Sequence, residues 1–342
     1  MKSHADEEEQ PMTGMPTDER LTWIEAAGTA RDDFARAVRD GFTHAPKRIP
    51  CRYLYDERGS ELFERICDLP EYYLTRAEAE ILEARADELA ERFPAGTSLV
   101  ELGSGSARKT RVLVEAMLRR HGKLRYLPVD ISRSMLRASA RDLLAAYPGL
   151  EVTAVSAEYR AGLRALRDHP SRKLILWLGS NVGNFARDDA ARFLQRLRAQ
   201  LSVEDRLLVG IDLRKPRAQL ERAYDDSRGV TARFNLNLLA RINRELAGHF
   251  DLTRFEHRAH YDDIAGRIDL ALVSDRDQTV PVGALNLIAP FAAGEAIHTE
   301  SSYKYSQEEI DTLAHTAGLA IETQWLDGER RYALSLLAPL NA

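Results

Sequence analysis

The segment VELGSGSARKTRVL (100–113) places an acid, Glu101, before Gly103-Ser104-Gly105 and a basic stretch containing Lys109 that runs into an amphipathic helix. Glycines at these positions permit a tight turn and the close backbone approach of a nucleoside, while a helix N-terminus offers free amide donors. Such a loop suits an adenosyl group. A dinucleotide loop needs a small residue three positions after Gly105, where Arg108 stands, and phosphate-cradling spacing is missing, which argues against nicotinamide, flavin and nucleoside triphosphate ligands. Asp130 closes the next apolar run, YLPVDIS, where a carboxylate can accept hydrogen bonds from both ribose hydroxyls. A strand-to-helix turn explains the glycines taken alone, and a helix cap explains Asp130 taken alone. The pair in strand order points to a cofactor. The same geometry puts Glu158 and Tyr159 near the adenine and the 178–184 loop at the far end of the ligand.

The second chemical segment is LWLGSNVGNFARDDA (176–190), in which an apolar strand ends in small residues and amides. Gly179 lies at the turn, and Asn184 can present its amide to a carboxylate or an amine; an Asx turn or a helix cap is the competing explanation. His257 and His260 sit three apart in EHRAH, but no cysteine or matching acid completes a ligand set, so a structural role is expected and no metal. Arg233, Arg241 and Arg244 are offset by Glu245 and read as a solvated helix face rather than an RNA groove. Tyr303, Lys304 and Tyr305 fit either a cation–π set or alternating strand faces.

The elements that must position these residues follow from periodicity. From Glu19 to Pro94 apolar residues recur at spacings of three and four, which predicts helices in ERLTWIEAAGTARDDFARAVRDGF, SELFERICDLP and TRAEAEILEARADELAERF. The period then changes to short apolar runs at 98–103, 125–132, 151–158, 173–180 and 206–213, separated by amphipathic helices, which predicts an α/β, doubly wound, mainly parallel sheet. Beyond Lys215 come a long helical stretch and the alternating segments RIDLALVSD, TVPVGAL and AIHTESSYKYS, expected to be antiparallel strands. A helix and a terminal hairpin, IETQWLD with RYALSLLAP, close the chain and can complete the main sheet. The expected organisation is a mobile tail at 1–18, a main domain at 19–215 and 304–342, and an inserted α+β substrate-binding domain at 216–303.

The 342 residues suffice for such a core. A net charge of −5 gives no field that would gather nucleic acid or an anionic membrane, and no apolar run approaches a membrane span, so a small-molecule partner is expected. Only Cys51 and Cys67 occur, without a secretory leader, which favours a reducing cytoplasm.

At this level the sequence resembles the bacterial L-histidine Nα-methyltransferases, which make the trimethylated histidine betaine, hercynine, used for ergothioneine. The blocks that carry the resemblance include YLYDERGSELFERICDLPEYYLTRAEAEIL, ELGSGSARKTR, YLPVDIS, LGSNVGNF, AYDDSRGVTARFNLNLLARINRELAGHFDL and GEAIHTESSYKYS, and it extends from about Tyr53 to the C-terminus. It implies a class I, Rossmann-like fold, S-adenosylmethionine as methyl donor and a monomeric enzyme. By the resemblance, Asn184 and Tyr224 hold the substrate carboxylate, Tyr55 lies beside the reacting amine, and Asn184 and Tyr55 are the catalytic pair. Phe63 is a wall of the pocket, Tyr72 faces the imidazole, and Glu300 and Ser302 bind its two nitrogens. If Glu300 and Ser302 share a strand, their spacing of two puts both on one face, with Ser301 turned away.

Two positions depart from the family: Leu270 stands where methionine packs on the imidazole, and Glu158 where aspartate lies near the adenine. Leucine for methionine nearly conserves volume, and the longer acid can accept the same hydrogen bond. Histidine is the leading acceptor; another aromatic amino acid, tryptophan or tyrosine, is the alternative, followed by a non-catalytic protein that binds S-adenosylmethionine.

Overall fold

The computed structural model describes residues 18–25, 30–159, 161–162 and 171–340. Of the segment expected to be a mobile tail, all but Asp18 lies outside the described residues. The first described element corrects an expectation: Leu21–Glu25, read as helical, is a strand, β1, added in parallel to a sheet edge with Leu21 opposite Val152 and Glu25 opposite Ser156. An open edge offers these five residues a ladder of hydrogen bonds that one turn of helix cannot match, and the Arg20 guanidinium fastens them by donating to the carbonyls of Leu144 and Tyr147 at 3.1 Å.

The helices α1 (Ala30–Thr43), α2 (Glu57–Cys67) and α3 (Leu74–Arg92) follow as the spacing predicts. The alternating part of the fold then runs β2 (Ser98–Leu102), α4 (Arg111–His121), β3 (Leu124–Asp130), α5 (Arg133–Ala146), β4 (Leu150–Ser156), β5 (Lys173–Trp177), α6 (Arg187–Arg198) and β6 (Arg206–Asp212). All five residues of β2 and of β5 are buried, as strands covered on both faces must be. Neighbours on these strands serve opposite cores: Leu99 and Leu176 pack into one hydrophobic cluster, Val100 and Trp177 into the other.

Between 217 and 303 lie α7 (Arg217–Tyr224), α8 (Val230–Leu246), β7 (Phe255–Asp262), β8 (Arg267–Ser274), β9 (Gln278–Val282), β10 (Leu287–Phe291) and β11 (Ala296–Tyr303). β11, β8 and β7 form an antiparallel sheet in that order, and β9 pairs with β10. β7 and β10 were not expected as strands. In β7 two of the inward positions are His257 and Tyr261, so the alternation is present in burial but weak in hydrophobicity; β10 contains Pro290, which its two-stranded setting tolerates. After α9 (Gln307–Thr316), whose start is fixed by a capping box of Ser306 and Glu309, come β12 (Leu319–Leu326) and β13 (Tyr332–Pro339).

The central sheet has the order β1-β4-β3-β2-β5-β6-β13-β12. It is parallel from β1 to β6, while β13 is antiparallel to both β6 and β12. The strand order therefore reverses beside β2, and the carboxyl ends of β2 to β5 open a crevice there. The α2 region and β11 cover it. Ile49 donates its backbone amide to His298 at 2.9 Å, Ser60 of α2 donates to Ser132 beyond β3 at 3.1 Å, and Asp56 accepts from Gly59 and from Asn237 of α8, each at 2.7 Å.

Asp56 thus caps α2 and ties it to α8. Asp56→Ala should cost about 1–3 kcal/mol of stability, the loss of a cap plus a part-buried hydrogen bond. Denaturant melts compare it with wild type, and an unchanged midpoint would contradict the role.

Candidate active site

A cavity of about 900 Å³ occupies the crevice, and on its wall stand Glu101, Gly103, Ser104, Gly105, Lys109, Asp130, Glu158, Tyr159, Gly179 and Asn184 together with Tyr55, Phe63, Tyr72 and Glu300. The cofactor half begins at the turn after β2. Gly103 has φ +75°, and a Cβ there would lie 2.7 Å from the Tyr159 hydroxyl and 3.0 Å from Asn181 Nδ2, so only glycine fits. Gly105 has φ +50° but open space around it, and its amide donates to Asp130 Oδ2 at 2.7 Å. Ser132 donates its amide to the other oxygen at 2.8 Å. Burial raises the Asp130 pKa while these amides draw it back, and each oxygen keeps a lone pair for a ligand. The Ser104 hydroxyl is buried on the same wall without a partner among the described residues.

Glu101 plays a different part from an open ligand acid. It is buried, accepts from Thr110 Oγ1 at 2.6 Å and from the Tyr126 hydroxyl, and its pKa is pushed up to about 7 by burial. It joins β2 to β3 and to the start of α4. Tyr159 packs edge-on against Trp177 at 6.1 Å, and Glu158, more than half exposed, meets Arg52 at 3.0 Å across the cavity mouth.

Lys109 leads to a residue that sequence reasoning missed. Its ammonium pairs with Glu78 of α3, a fully buried carboxylate that also accepts the Gly179 amide at 2.8 Å and the Tyr332 hydroxyl at 2.7 Å. Burial works against the Lys109 charge and Glu78 more than offsets it, so the Lys109 pKa rises. The signal in the sequence was an acid in phase with Leu74, Ala77, Ile81 and Leu82, on the stripe that should be apolar.

In the acceptor half, Tyr55 and Phe63 meet edge-on at 5.4 Å, Phe63 and Tyr72 at 6.2 Å, and Tyr72 and Tyr224 at 5.9 Å. Burial pushes the Tyr55 and Tyr72 phenols well above their ordinary range, so both are neutral. The thiols of Cys51 and Cys67 are free and also reach the wall; burial pushes Cys51 up to about 12, which keeps it unreactive. Glu300 projects from β11 into the cavity, and its carboxylate makes no hydrogen bond to any described residue. Burial pushes it up to about 7, against the pull of Lys304 and His298.

A register shift between His298 and Glu300 turns both Thr299 and Glu300 inward. From there Glu300 and Ser302 share a face, and Ser301 turns away to donate to Asp269 at 2.6 Å. Ser302, Tyr224 and Leu270 are buried behind the cavity wall rather than on it. Leu270 is the register partner of Glu300 on β8, and Ser302 Oγ lies 3.0 Å from the Tyr224 hydroxyl.

Sequence reasoning missed Asp212 and Tyr73 and gave Lys304 only as part of a cation–π set or of alternating strand faces. Lys304, fully buried, donates to Tyr224 at 2.7 Å and Ser302 at 2.9 Å and pairs with Asp212 at 2.9 Å; Asp212 in turn accepts the Tyr73 hydroxyl at 2.8 Å. Lys304 lies 4.6 Å from the Tyr224 ring centre, so its cation–π partner is neither sequence neighbour. His257 has the structural role expected of it: Nε2 donates to the Tyr224 carbonyl at 2.9 Å and Nδ1 accepts from Asn235 at 3.0 Å, with burial lowering its pKa and keeping it neutral.

A glycine cradle, a ribose-ready acid and an aromatic chamber with a spare carboxylate therefore share one cavity. Residues 34–339 match the family described as histidine-specific methyltransferase, SAM-dependent. The chain belongs to that family. It is 43% identical over 311 residues to the histidine N-alpha-methyltransferase of Mycolicibacterium smegmatis, covering 91% of this chain and 96% of that protein. A protein of the same name from Mycobacterium tuberculosis is 43% identical over 303 residues, 89% of this chain and 94% of that one. Ergothioneine biosynthesis protein 1 of Neurospora crassa is 36% identical over 300 residues, covering 86% of this chain and 33% of that longer protein. As a family member the chain is an S-adenosylmethionine-dependent methyltransferase, and the cradle fits that group: the space a Cβ at Gly103 would fill, the unpartnered Ser104 hydroxyl and the free lone pairs of Asp130 face one cavity.

Gly103→Ala combines a strained φ with a clash and should weaken S-adenosylhomocysteine binding by more than about tenfold, whereas Gly105→Ala meets only the strain of about 1–2 kcal/mol and should weaken it less. Calorimetric titration reads both; a larger loss at Gly105 would contradict the cradle.

Proposed function

We propose that this chain methylates the α-amino nitrogen of L-histidine three times to give hercynine, a step of ergothioneine biosynthesis. The observation that carries the reading is the buried Glu300 carboxylate, without a described protein partner, projecting into the cavity that the Gly103–Gly105 cradle and Asp130 also line. The family and the printed names of the relatives support the same acceptor.

S-adenosylmethionine, when bound, supplies an electrophilic methyl group on a sulfonium. The chain's own residues bind and orient. Asp130 takes the ribose hydroxyls, Glu158 and Tyr159 border the adenine, and Ser104 offers its unused hydroxyl. Asn184 on the wall and Tyr224, packed against Tyr72 directly behind it, hold the substrate carboxylate, while Phe63 and Tyr72 enclose the ring. Glu300 accepts a ring N–H, and a site that presents such a buried acceptor rejects phenyl rings, which leave it unpaired. Tyr55 stands beside the amine as a neutral hydroxyl, suited to passing a proton to solvent rather than to acting as an ionised base. Alignment of the nitrogen lone pair with the transferred methyl is the main source of rate, and no covalent protein nucleophile is needed. Leu270, behind Glu300, keeps the apolar backing that methionine supplies in the family.

No helix among the described residues is long and apolar enough to cross a membrane. We place the enzyme in the cytoplasm, in keeping with its two free thiols, and propose that it acts as a monomer.

Mass spectrometry of histidine incubated with enzyme and S-adenosylmethionine should end at the trimethylated product; accumulation of monomethylhistidine at long times contradicts the reading. Glu300→Gln should raise KM for histidine about 10- to 100-fold, the worth of a hydrogen bond to a charged group, with S-adenosylhomocysteine affinity unchanged. Because the Glu300 pKa stands at about 7, the carboxylate is the major form only above that pH, so wild-type KM should rise as pH falls through 7. In Glu300→Gln that component of the profile should vanish. A profile of the same shape in both proteins, which share the substrate's own titrations, would remove Glu300 from ring recognition.

A further inference from the structure

Lys304 makes three polar contacts, to Asp212 Oδ2 at 2.9 Å, the Tyr224 hydroxyl oxygen at 2.7 Å and Ser302 Oγ at 2.9 Å, and an ammonium has three protons to give. It is 0% exposed, so water takes no share of these bonds. Each hydroxyl oxygen therefore accepts from Lys304 and keeps one proton of its own. Tyr224 and Ser302 lie 3.0 Å apart, and only one of those two protons can fill the gap between them. The other must be given elsewhere. A ligand that accepts at both places draws both protons outward while Lys304 keeps hold of both oxygens.

We propose that Lys304 is a positioning residue that fixes Tyr224 and Ser302 as hydrogen-bond donors, so that histidine binds with a neutral ring in a single tautomer. This rests on the assignment of Tyr224 to the carboxylate and of Ser302 and Glu300 to the ring. A donor at Ser302 requires a ring nitrogen without a proton. The other ring nitrogen then carries the proton and gives it to Glu300. At the opposite end the Tyr224 hydroxyl faces a carboxylate, which can only accept. One buried ammonium thus sets the polarity of both ends of the substrate.

The rest of the cluster supports a fixed charge. Asp212 is fully buried, and Lys215 and Lys304 hold its pKa down against burial. Lys215 donates to it at 2.6 Å and the Tyr73 hydroxyl at 2.8 Å. A buried ion pair by itself confers no more stability than apolar packing of the same volume, so the two bonds from Lys304 to hydroxyls buried directly behind the chamber wall are what the pair adds.

The test that needs no variant is nitrogen NMR of ring-labelled histidine bound with S-adenosylhomocysteine near neutral pH. One pyrrole-type and one pyridine-type nitrogen are expected; two pyrrole-type signals, or a pair averaged between tautomers, overturn the proposal. Lys304→Met should raise KM for histidine about tenfold or more, with S-adenosylhomocysteine affinity retained as the check on folding, and Lys304→Arg should recover part of the loss. If Ser302→Ala and Tyr224→Phe raise KM but Lys304→Met does not, the role of Lys304 fails alone. If neither hydroxyl variant changes KM, the assignment of the acceptor site fails and this inference with it.

Discussion

A single buried carboxylate, Glu78, joins the loops on which both halves of the site depend. The turn after β2 contributes Lys109, the turn after β5 contributes the Gly179 amide, and β13 contributes the Tyr332 hydroxyl, all to one group of zero exposure. Loops that leave the ends of parallel strands have no ladder of their own to hold them. Fastening two of them to one helix residue fixes their separation, and that separation sets how cofactor and acceptor meet. A 1 Å error in such a distance is enough to cost a large part of the rate.

The acceptor half is built on the opposite principle from the cofactor half. Around Gly103 and Asp130 the backbone sets the geometry, its amides orienting the Asp130 carboxylate and Gly103 keeping space free of a Cβ. Around Glu300 side chains do it, on a surface made of α2, α7 and β11 that are far apart in sequence. The aromatic rings of Tyr55, Phe63, Tyr72 and Tyr224 pack edge to edge beside this surface, and burial raises the Glu300 pKa and strengthens whatever hydrogen bond its carboxylate finally makes. A water-excluding chamber with one acceptor left unpaired is a selective site, since only a ligand that donates there recovers the cost of burial.

How much of this was legible follows from the reach of each signal. The glycine turn, Asp130 and the β-α succession are local patterns, and the structure places them where their spacing implied. Strand β1 was misread because an edge strand of five residues owes its existence to the neighbour β4, which no local period reports. β7 was missed because its inward face carries His257, buried there to hold the Tyr224 carbonyl. Glu78, Asp212 and Lys304 left only faint traces, charged residues at positions whose phase is apolar. Lys215 and Ser302 are near neighbours of Asp212 and Lys304, but the partners that make each a junction lie far along the chain, 31 and 254 residues from Glu78, 139 from Asp212 at Tyr73 and 80 from Lys304 at Tyr224, where no local period reports them.

The same distinction separates the two departures from the family. Glu158 lines the cavity, more than half exposed and paired with the half-exposed Arg52, where an additional methylene meets solvent rather than packed atoms. Leu270 is 1% exposed and lies opposite Glu300 in the β8–β11 register, so its shape bears on the position of that carboxylate. Leucine branches one carbon closer to the backbone than methionine extends, and it is stiffer, so it backs Glu300 with less give. A leucine there therefore holds the Glu300 carboxylate to a narrower range of positions than a methionine would.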